Sequence, residues 1–339
     1  MNNKINNNDN HIYYNIKIKG NDDIIEFSEN RVVPILEKAS DYSCAVCSFN
    51  LSTSNIPIFI WNNNIFKVSI TYSTYTFTNI VDFIQNQNLN NITNLYFTNA
   101  IWHHQDFIDC INATLKKCFQ DFQASPVYLT IPVIDRPLSQ PIMIYNSVYH
   151  RCSIYFPLEY SITKINPIYV YFNSSLFSLF PAFQNYGDEN NQDLAHYFIV
   201  KDNRNNKVVI NSINYLKLTE EYSTLFLWND FQSVLFETDK IPVISEMIAS
   251  QKNITRKILT DFEQVAGIND QSIFRYKPIS NLRFYNLISN ILLISIDLKI
   301  YWQAKNGRIY PVFLNLNDYF NIKIVFKKKG ILVNSLSIF

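Results

Sequence analysis

The sequence predicts a mainly β protein with minor α content: a β sandwich with Greek-key connections, an inserted or additional β-rich region and one substantial helix. Aromatic residues make up 15% of the 339 positions, with 26 Phe, 22 Tyr and 4 Trp, and they favour pleated surfaces. Alternation of apolar and polar residues recurs along the chain, whereas one long segment has helical spacing. Together these observations favour packed sheets over a helical bundle.

The N-terminal part begins with a polar segment and continues with strands. Residues 1–10 contain six Asn and are expected to form a disordered arm. Residues 11–19 alternate with period two, and residues 42–50 and 66–72 predict further strands. Pro57 interrupts the apolar run 55–61, which therefore predicts an edge strand or an extended loop.

One substantial helix is expected, ending before Ser125-Pro126. Asp106 and Asp109 lie in its first turns and Lys116 and Lys117 nearer its end, as the helix dipole favours. Apolar residues recur three and four apart on one face: Phe107, Ile108, Ile111, Leu115, Cys118, Phe119 and Phe122.

After the helix the strand pattern returns. We predict strands at residues 127–134, 141–145, 151–156, 168–172, 196–201, 207–218, 233–236 and 273–278. A short helix is expected near residues 175–179 and an exposed loop at 187–193. Residues 219–230 fit either a helix or an irregular link.

The C-terminal part predicts a three-stranded meander. Residues 296–302, 309–314 and 320–326 alternate in polarity, and Asn306-Gly307 favours a type I′ turn between the first two strands. We expect one β-rich region over residues 11–326, with two subdomains whose boundary lies near 125–190, followed by a tail at 327–339.

Charge and cysteine content exclude several classes of protein. The 29 Lys and Arg against 28 Asp and Glu give a net charge of +1, unlike a basic nucleic-acid-binding domain. The lysines Lys327, Lys328 and Lys329 form the one basic run, either a solvated chain end or a contact with an acidic partner or nucleic acid. We expect neither a signal peptide nor a membrane span, because no apolar stretch approaches 18 residues. The odd number of cysteines, five, indicates reduced thiols and synthesis in the cytosol.

No cluster of residues builds a recognisable active site, so we assign no catalytic, cofactor-binding or metal-binding residue and no cofactor. The five glycines are too dispersed for a phosphate loop, and Cys44 and Cys47 have no second CxxC to complete a metal site. His103 and His104 beside Asp106 are expected to make polar contacts at the helix start. The carboxylate pairs Asp22-Asp23 and Glu220-Glu221 are expected to face water.

Several stretches resemble structural proteins of polinton-like viruses, virophages and adintoviruses. They are residues 34–42, 56–60, 105–112, 221–225, 228–231, 256–263 and 296–329. The resemblance implies a jelly-roll capsid protein, a minor capsid or penton component of the virion. It also implies that the chain assembles with itself, as a pentamer, and with other capsid proteins, and that the arm and tail tie neighbouring subunits together.

Two other functions fit the same composition. A β-sandwich attachment protein that binds a receptor or glycan would carry aromatic rings in an exposed groove. An enzyme with a spatially assembled site would carry a histidine and a carboxylate in a deep pocket. Aromatic runs such as residues 72–77 and 169–172 are expected to pack in the core or at an interface, because nucleic-acid stacking would require a basic groove and the sequence shows none.

Overall fold

The computed structural model describes residues 11–21, 23–61, 65–83, 100–187, 196–201, 206–247, 255–263, 273–278 and 282–330. The predicted arm at 1–10, most of the loop at 187–193 and residues 331–339 lie outside this part of the chain. The described residues form two compact units. The first contains those as far as Ile56 and those from Asp230 onward, and the second contains those from Pro57 to Asn229.

The strands are numbered here in chain order. In the first unit they are β1 (His11–Lys19), β2 (Asp23–Ile24), β3 (Glu26–Asn30), β4 (Tyr42–Ser52), β16 (Phe231–Glu237), β17 (Glu246–Met247), β18 (Thr255–Arg256), β19 (Ile258–Glu263), β20 (Ile273–Tyr276), β21 (Tyr285–Asn286), β22 (Ser295–Ala304), β23 (Ile309–Pro311), β24 (Phe313–Leu314) and β25 (Tyr319–Lys328). In the second unit they are β5 (Phe59–Ile60), β6 (Lys67–Tyr72), β7 (Tyr75–Ile80), β8 (Ala100–Ile101), β9 (Ile142–Asn146), β10 (Arg151–Pro157), β11 (Ile168–Phe172), β12 (Tyr186–Gly187), β13 (His196–Phe198), β14 (Lys207–Ile210) and β15 (Ile213–Thr219).

The helices of the second unit are α1 (His104–Ala124), α2 (Pro126–Thr130), α3 (Ser174–Phe177) and α4 (Leu225–Trp228), with 3-10 turns at Val133–Asp135 and Leu158–Tyr160. The first unit has a 3-10 turn at Ala39–Asp41. In the described part of the chain, no helix is long and apolar enough to cross a membrane.

The first unit is a jelly roll. Its first sheet has the order β1-β25-β4-β20, and its second sheet runs β3-β22-β16-β19. Numbered as eight strands in chain order, these sheets read 1-8-3-6 and 2-7-4-5, and every pair is antiparallel. This is the strand order of two intertwined Greek keys, so the jelly-roll prediction is confirmed.

Aromatic side chains fill the space between these two sheets. Phe49 of β4 has its ring centroid 4.9 Å from Phe236 of β16 and 4.7 Å from Phe262 of β19. Phe236 also lies 6.2 Å from Phe320 of β25. Such aromatic contacts, in offset or tilted geometry, stabilise the fold by more than the apolar area they bury. The alternation of apolar and polar residues in β1 and β25 supplies the apolar face that packs here.

The second unit is the inserted β-rich region, entered after β4 and left before β16. It contains the sheets β14-β15-β10-β9 and β12-β13-β11-β6-β7. Helix α1 contacts β6 and β7 of one sheet and β9 of the other, with Phe107, Ile111 and Leu115 fully buried. The Asn112 side chain exchanges two hydrogen bonds with the Met143 backbone, at 2.8 and 2.7 Å, and so fixes α1 against β9.

Two predicted strands of the second unit are wrong. Residues 127–134 form α2 and a 3-10 turn, because Pro126 occupies the first helical turn, where a missing N–H costs nothing. Residues 207–218 form the hairpin β14–β15, in which Asn211 and Ser212 adopt φ of 49° and 67°. Positive φ at both positions is the requirement of a type I′ turn.

The predicted C-terminal meander has the right strands and the wrong partners. β22 pairs with β23, but β24 pairs with β2, and β25 enters the first sheet between β1 and β4. The turn after β22 is a three-residue loop in which Gly307, at φ 80°, follows a type I turn, so it is not type I′. β25 extends to Lys328, which places Lys327 and Lys328 of the expected tail in a strand.

The expected subdomain boundary stays a prediction. The range 125–190 lies within the second unit.

Candidate assembly surfaces

An exposed apolar surface covers one end of the jelly roll, and we call it the end patch. It is built by two adjacent segments, residues 30–40 and 287–294, and by residue 244. Its exposed members are Val32, Val33, Ile244, Ile288, Ile291, Leu292 and Ile294. Val32 is fully exposed and Ile291 is 73% exposed. A contiguous apolar surface of this kind marks an interaction site more often than chance exposure of single residues does.

Backbone hydrogen bonds hold the two segments side by side. The N–H of Arg31 donates to Ile294 O at 2.8 Å, Ile35 N donates to Leu293 O at 2.8 Å, and Ala39 N donates to Ile291 O at 3.1 Å. Leu36 and Leu293 point inward and are buried. Val32 and Val33 in the first segment and Ile291, Leu292 and Ile294 in the second are exposed.

A buried carboxylate anchors the loop that carries Ile244. Asp297 of β22 accepts hydrogen bonds from Thr238 Oγ1 at 2.7 Å and from Lys240 N at 2.8 Å. Further along the loop, Pro242 O accepts a 2.9 Å hydrogen bond from Ile288 N. These contacts join the loop to β22 and to the second segment of the end patch.

One feature of the amino-acid sequence points to this surface. Residues 291–296 are its most apolar run, too short for a membrane span. Because successive residues of an extended chain point to opposite sides, consecutive apolar residues such as 291–294 have to expose some of their number or bury both faces. Here Leu293 and Ile296 are buried, while Ile291, Leu292 and Ile294 are exposed.

Of the two adjacent histidines, His103 is the N-cap of helix α1. The Asp106 carboxylate accepts a hydrogen bond from His103 N at 3.2 Å, as in a capping box. His104 is buried, with its ring 5.3 Å from Tyr145 and 5.6 Å from Trp228. Among the described residues, no group of three His, Cys, Asp or Glu side chains could hold a metal ion.

The carboxylate pair at 220–221 was predicted incorrectly. Glu221 is exposed, but Glu220 is 1% exposed and accepts hydrogen bonds from Cys152 N at 2.7 Å and Thr224 Oγ1 at 2.6 Å. Burial raises the pKa of Glu220, and these hydrogen bonds oppose the rise. Of the other pair, Asp23 lies in β2 and Asp22 lies outside the described residues.

The cysteine side chains contribute to packing. Cys44 is buried, and burial raises its pKa to about 12, while Cys118 donates to Val68 O at 3.2 Å with its pKa raised to about 11. Thiols with such pKa values are protonated at neutral pH and are poor nucleophiles. Cys47 lies at a bulge of β4, where the register with β25 shifts between Ser48 and Val46.

The C-terminal lysines do not form one basic tail. Lys327 Nζ lies 5.6 Å from the Phe284 ring centroid, on the outer face of the first sheet. Lys329 Nζ donates to Ser40 O at 2.8 Å, next to the end patch. The aromatic runs contribute to both core and surface: Phe172 is fully buried, whereas the rings of Tyr169 and Tyr197 lie 5.3 Å apart and are partly exposed.

Comparison with known proteins decides the family. The family model described as Sputnik minor capsid protein V18/19 matches residues 5–328. The chain belongs to this family. Its members are capsid structural proteins, so this chain is a structural protein of a virion, and the resemblance inferred from the sequence is confirmed.

Individual relatives agree with the family. The structural protein V19 of Sputnik virophage is 23% identical over 188 residues, which cover 51% of this chain and 86% of that protein. A chain in the 3.5 Å cryo-EM structure of the Sputnik virophage superposes with a TM-score of 0.79 at 23% identity, covering 94% of this chain and 98% of that one. The selenomethionine-labelled mavirus penton protein gives a TM-score of 0.66 at 17% identity over 94% and 99% of the two chains. At these identities the two solved structures show a shared fold.

Proposed function

We propose that this minor capsid protein is a penton-type subunit, which closes into a ring of five copies and joins other capsid proteins in the virion. The end patch carries the proposal, because it presents at least seven apolar side chains on one end of the jelly roll. A structural neighbour of nearly the same length is a mavirus penton protein. The net charge of +1 leaves little repulsion between copies.

The end patch supplies one half of the contact between neighbouring copies. In a ring of identical subunits every contact joins two different surfaces of the chain, so an apolar patch need not be self-complementary. Burying a patch of this kind releases water from apolar surface, a gross gain of about 25 cal/mol per Å² that offsets the entropy lost on association. The protein acts through these contacts and not through catalysis, and it is made in the host cytosol, where its five free cysteines stay reduced.

Light scattering after size exclusion tests the proposal on the full chain. The wild type is expected at about 199 kDa, five times the chain mass of 39.8 kDa. The double variant Ile291→Asp, Leu292→Asp is expected to be monomeric, since two buried carboxylates would oppose the contact. A wild type that stays monomeric at 100 μM would refute the oligomer.

A matched control separates the patch from apolar surface in general. The variant Val133→Asp, Ile165→Asp replaces two residues of the second unit that are 81% and 97% exposed. It is expected to assemble as the wild type does. If the end-patch double variant also assembles normally, the contact lies elsewhere on the molecule.

A further inference from the structure

The two sheets of the jelly roll carry opposite kinds of charge. Across the described residues of the first sheet, strands β1, β4, β20, β21 and β25 contain no Asp or Glu. They contain six basic residues: Lys17, Lys19, Arg275, Lys323, Lys327 and Lys328. The strands of the second sheet carry one Lys and six carboxylates, Glu26, Glu29, Glu237, Asp261, Glu263 and Asp297.

Strand register places five of these basic residues on the outer face of the first sheet. We call this surface the basic face, made by Lys17, Lys19, Arg275, Lys323 and Lys327. One row across the sheet reads Lys17, Asn321, Asn50 and Arg275, and the next row pairs Asn15 with Lys323 and Ser48. The alternate residues Ile16, Ile322 and Phe49 are buried inside the sandwich. Outward positions two apart along a strand lie about 7 Å from each other.

Few internal counter-charges meet this surface, in contrast to the second sheet. There Glu237 pairs with Arg256 at 2.8 Å and Asp261 pairs with Arg283 at 3.2 Å. On the basic face the described contacts of the lysines are with rings: Lys323 Nζ lies 4.6 Å from the Tyr13 centroid, and Lys327 Nζ lies 5.6 Å from that of Phe284. A cluster of like charge repels itself and attracts an external anion.

A shallow depression lies within the basic face, next to the bulge in β4. Its volume is about 140 Å³, and its polar lining comprises Asn15, Lys17, Ser48, Asn50, Asn321 and Lys323. Three amides, a hydroxyl and two ammonium groups offer several hydrogen-bond donors to one anionic group. Amide, hydroxyl and lysine side chains are the groups that commonly contact phosphate oxygens.

The Tyr13 ring lies beside Lys323, one of the residues that line the depression. Tyr13 is 55% exposed, and the His11 ring stacks beside it at 6.4 Å with an interplanar angle of 19°. Exposed rings beside cations allow a base to stack, a contact that an acidic peptide would not make. The basic face could not be recognised in the sequence, because its basic residues belong to strands that lie far apart in the chain.

We propose that the basic face binds a strand of nucleic acid, with phosphates on its lysine and arginine side chains and a base stacked on Tyr13. Recognition is independent of sequence, because the contacts are with the backbone and with the face of a ring. Nucleic-acid binding does not require a pentamer, so this proposal does not depend on the proposed assembly.

Fluorescence anisotropy with a labelled 20-nucleotide oligo(dT) at 50 mM salt tests this proposal. The triple variant Lys17→Glu, Arg275→Glu, Lys323→Glu is expected to lose at least tenfold in affinity. Its plot of log K against log salt is expected to be shallower by about 2, since each single-strand phosphate contact contributes about 0.7. A triple control, Lys116→Glu, Lys117→Glu, Lys201→Glu, makes the same charge change on exposed lysines of the second unit and is expected to bind within twofold of the wild type.

Two further measurements distinguish nucleic acid from other anions. Tyr13→Leu is expected to weaken oligo(dT) binding about fivefold or more with an unchanged salt slope, because it removes stacking and no charge. Poly-glutamate of equal charge is expected to compete poorly. Absence of salt-dependent binding by the wild type, an equal loss in the triple control, or displacement by poly-glutamate as efficient as by unlabelled oligo(dT) would overturn the proposal.

Discussion

At the scale of single residues, Glu220 shows how a buried carboxylate fastens the second unit. It accepts a hydrogen bond from the backbone of β10, at Cys152, and another from Thr224 just before α4. Burial raises its pKa above 4.5. The folded protein therefore binds this proton more tightly than the unfolded chain does.

This shift predicts a pH dependence of stability. The contribution of Glu220 to the free energy of unfolding is fully present below pH 4.5, and it is lost as pH rises through the raised pKa of this carboxyl. Glu220→Gln keeps an acceptor for Cys152 N–H and a donor for Thr224, so its free energy of unfolding should lack this decline. Urea titrations from pH 4 to 7 compare the two proteins, and parallel curves would contradict the prediction. Glu220→Ala is expected to cost about 1–3 kcal/mol at pH 4, because it leaves a buried N–H unpaired, and less as pH rises through the raised pKa of Glu220.

At the scale of elements, the hairpin β22–β23 depends on one glycine. Gly307 has φ 80°, and its N–H donates to Ala304 O at 2.7 Å. Gly307→Ala is expected to lower the free energy of unfolding by about 1–2 kcal/mol, since a Cβ disfavours left-handed backbone. Gly330→Ala is the matched control, because a Cβ there would meet nothing within 4 Å. Chemical denaturation measures the free energy of unfolding of both variants. Equal losses in the two would contradict the role assigned to the left-handed backbone at Gly307.

The sequence identified most elements because their patterns are local. Period-two alternation located β1, a strand-like apolar run located β11, and the spacing of Phe107, Ile111 and Leu115 located α1. It missed α2, where Val127 and Leu129 suggested a strand while Pro126 started a helical turn. Turn chemistry at Asn211-Ser212 was also missed, because neither residue is glycine.

Strand partners could not be predicted in the same way. β22 and β25 are near neighbours in sequence, yet they belong to different sheets, because β23 and β24 carry the chain from one sheet to the other. Alternation fixes which face of a strand is buried and says nothing about its neighbour. The basic face and the end patch depend on such pairings, so neither surface could be assembled from the sequence.

At the scale of the whole molecule, the chain interrupts one β fold with another. The jelly roll is formed by strands on both sides of the insertion, so its long-range pairs, such as β4 with β25, close only after the second unit has been synthesised. Each unit has aromatic residues at its own centre. Phe236 packs against Phe49 and Phe262 in the first, and Phe107 packs against Phe59 and Trp228 in the second.

Separate cores predict separate unfolding transitions. Phe236 and Phe107 are both 0% exposed, and replacing either by Ala removes a buried ring at a cost of about 3–5 kcal/mol. In differential scanning calorimetry of the full chain, Phe236→Ala is expected to lower the transition of the jelly roll, and Phe107→Ala that of the insertion. Each variant should leave the other transition within about 2 °C of the wild type, because inserted domains unfold as units of their own. If both substitutions shift one common transition equally, the two cores form a single cooperative unit.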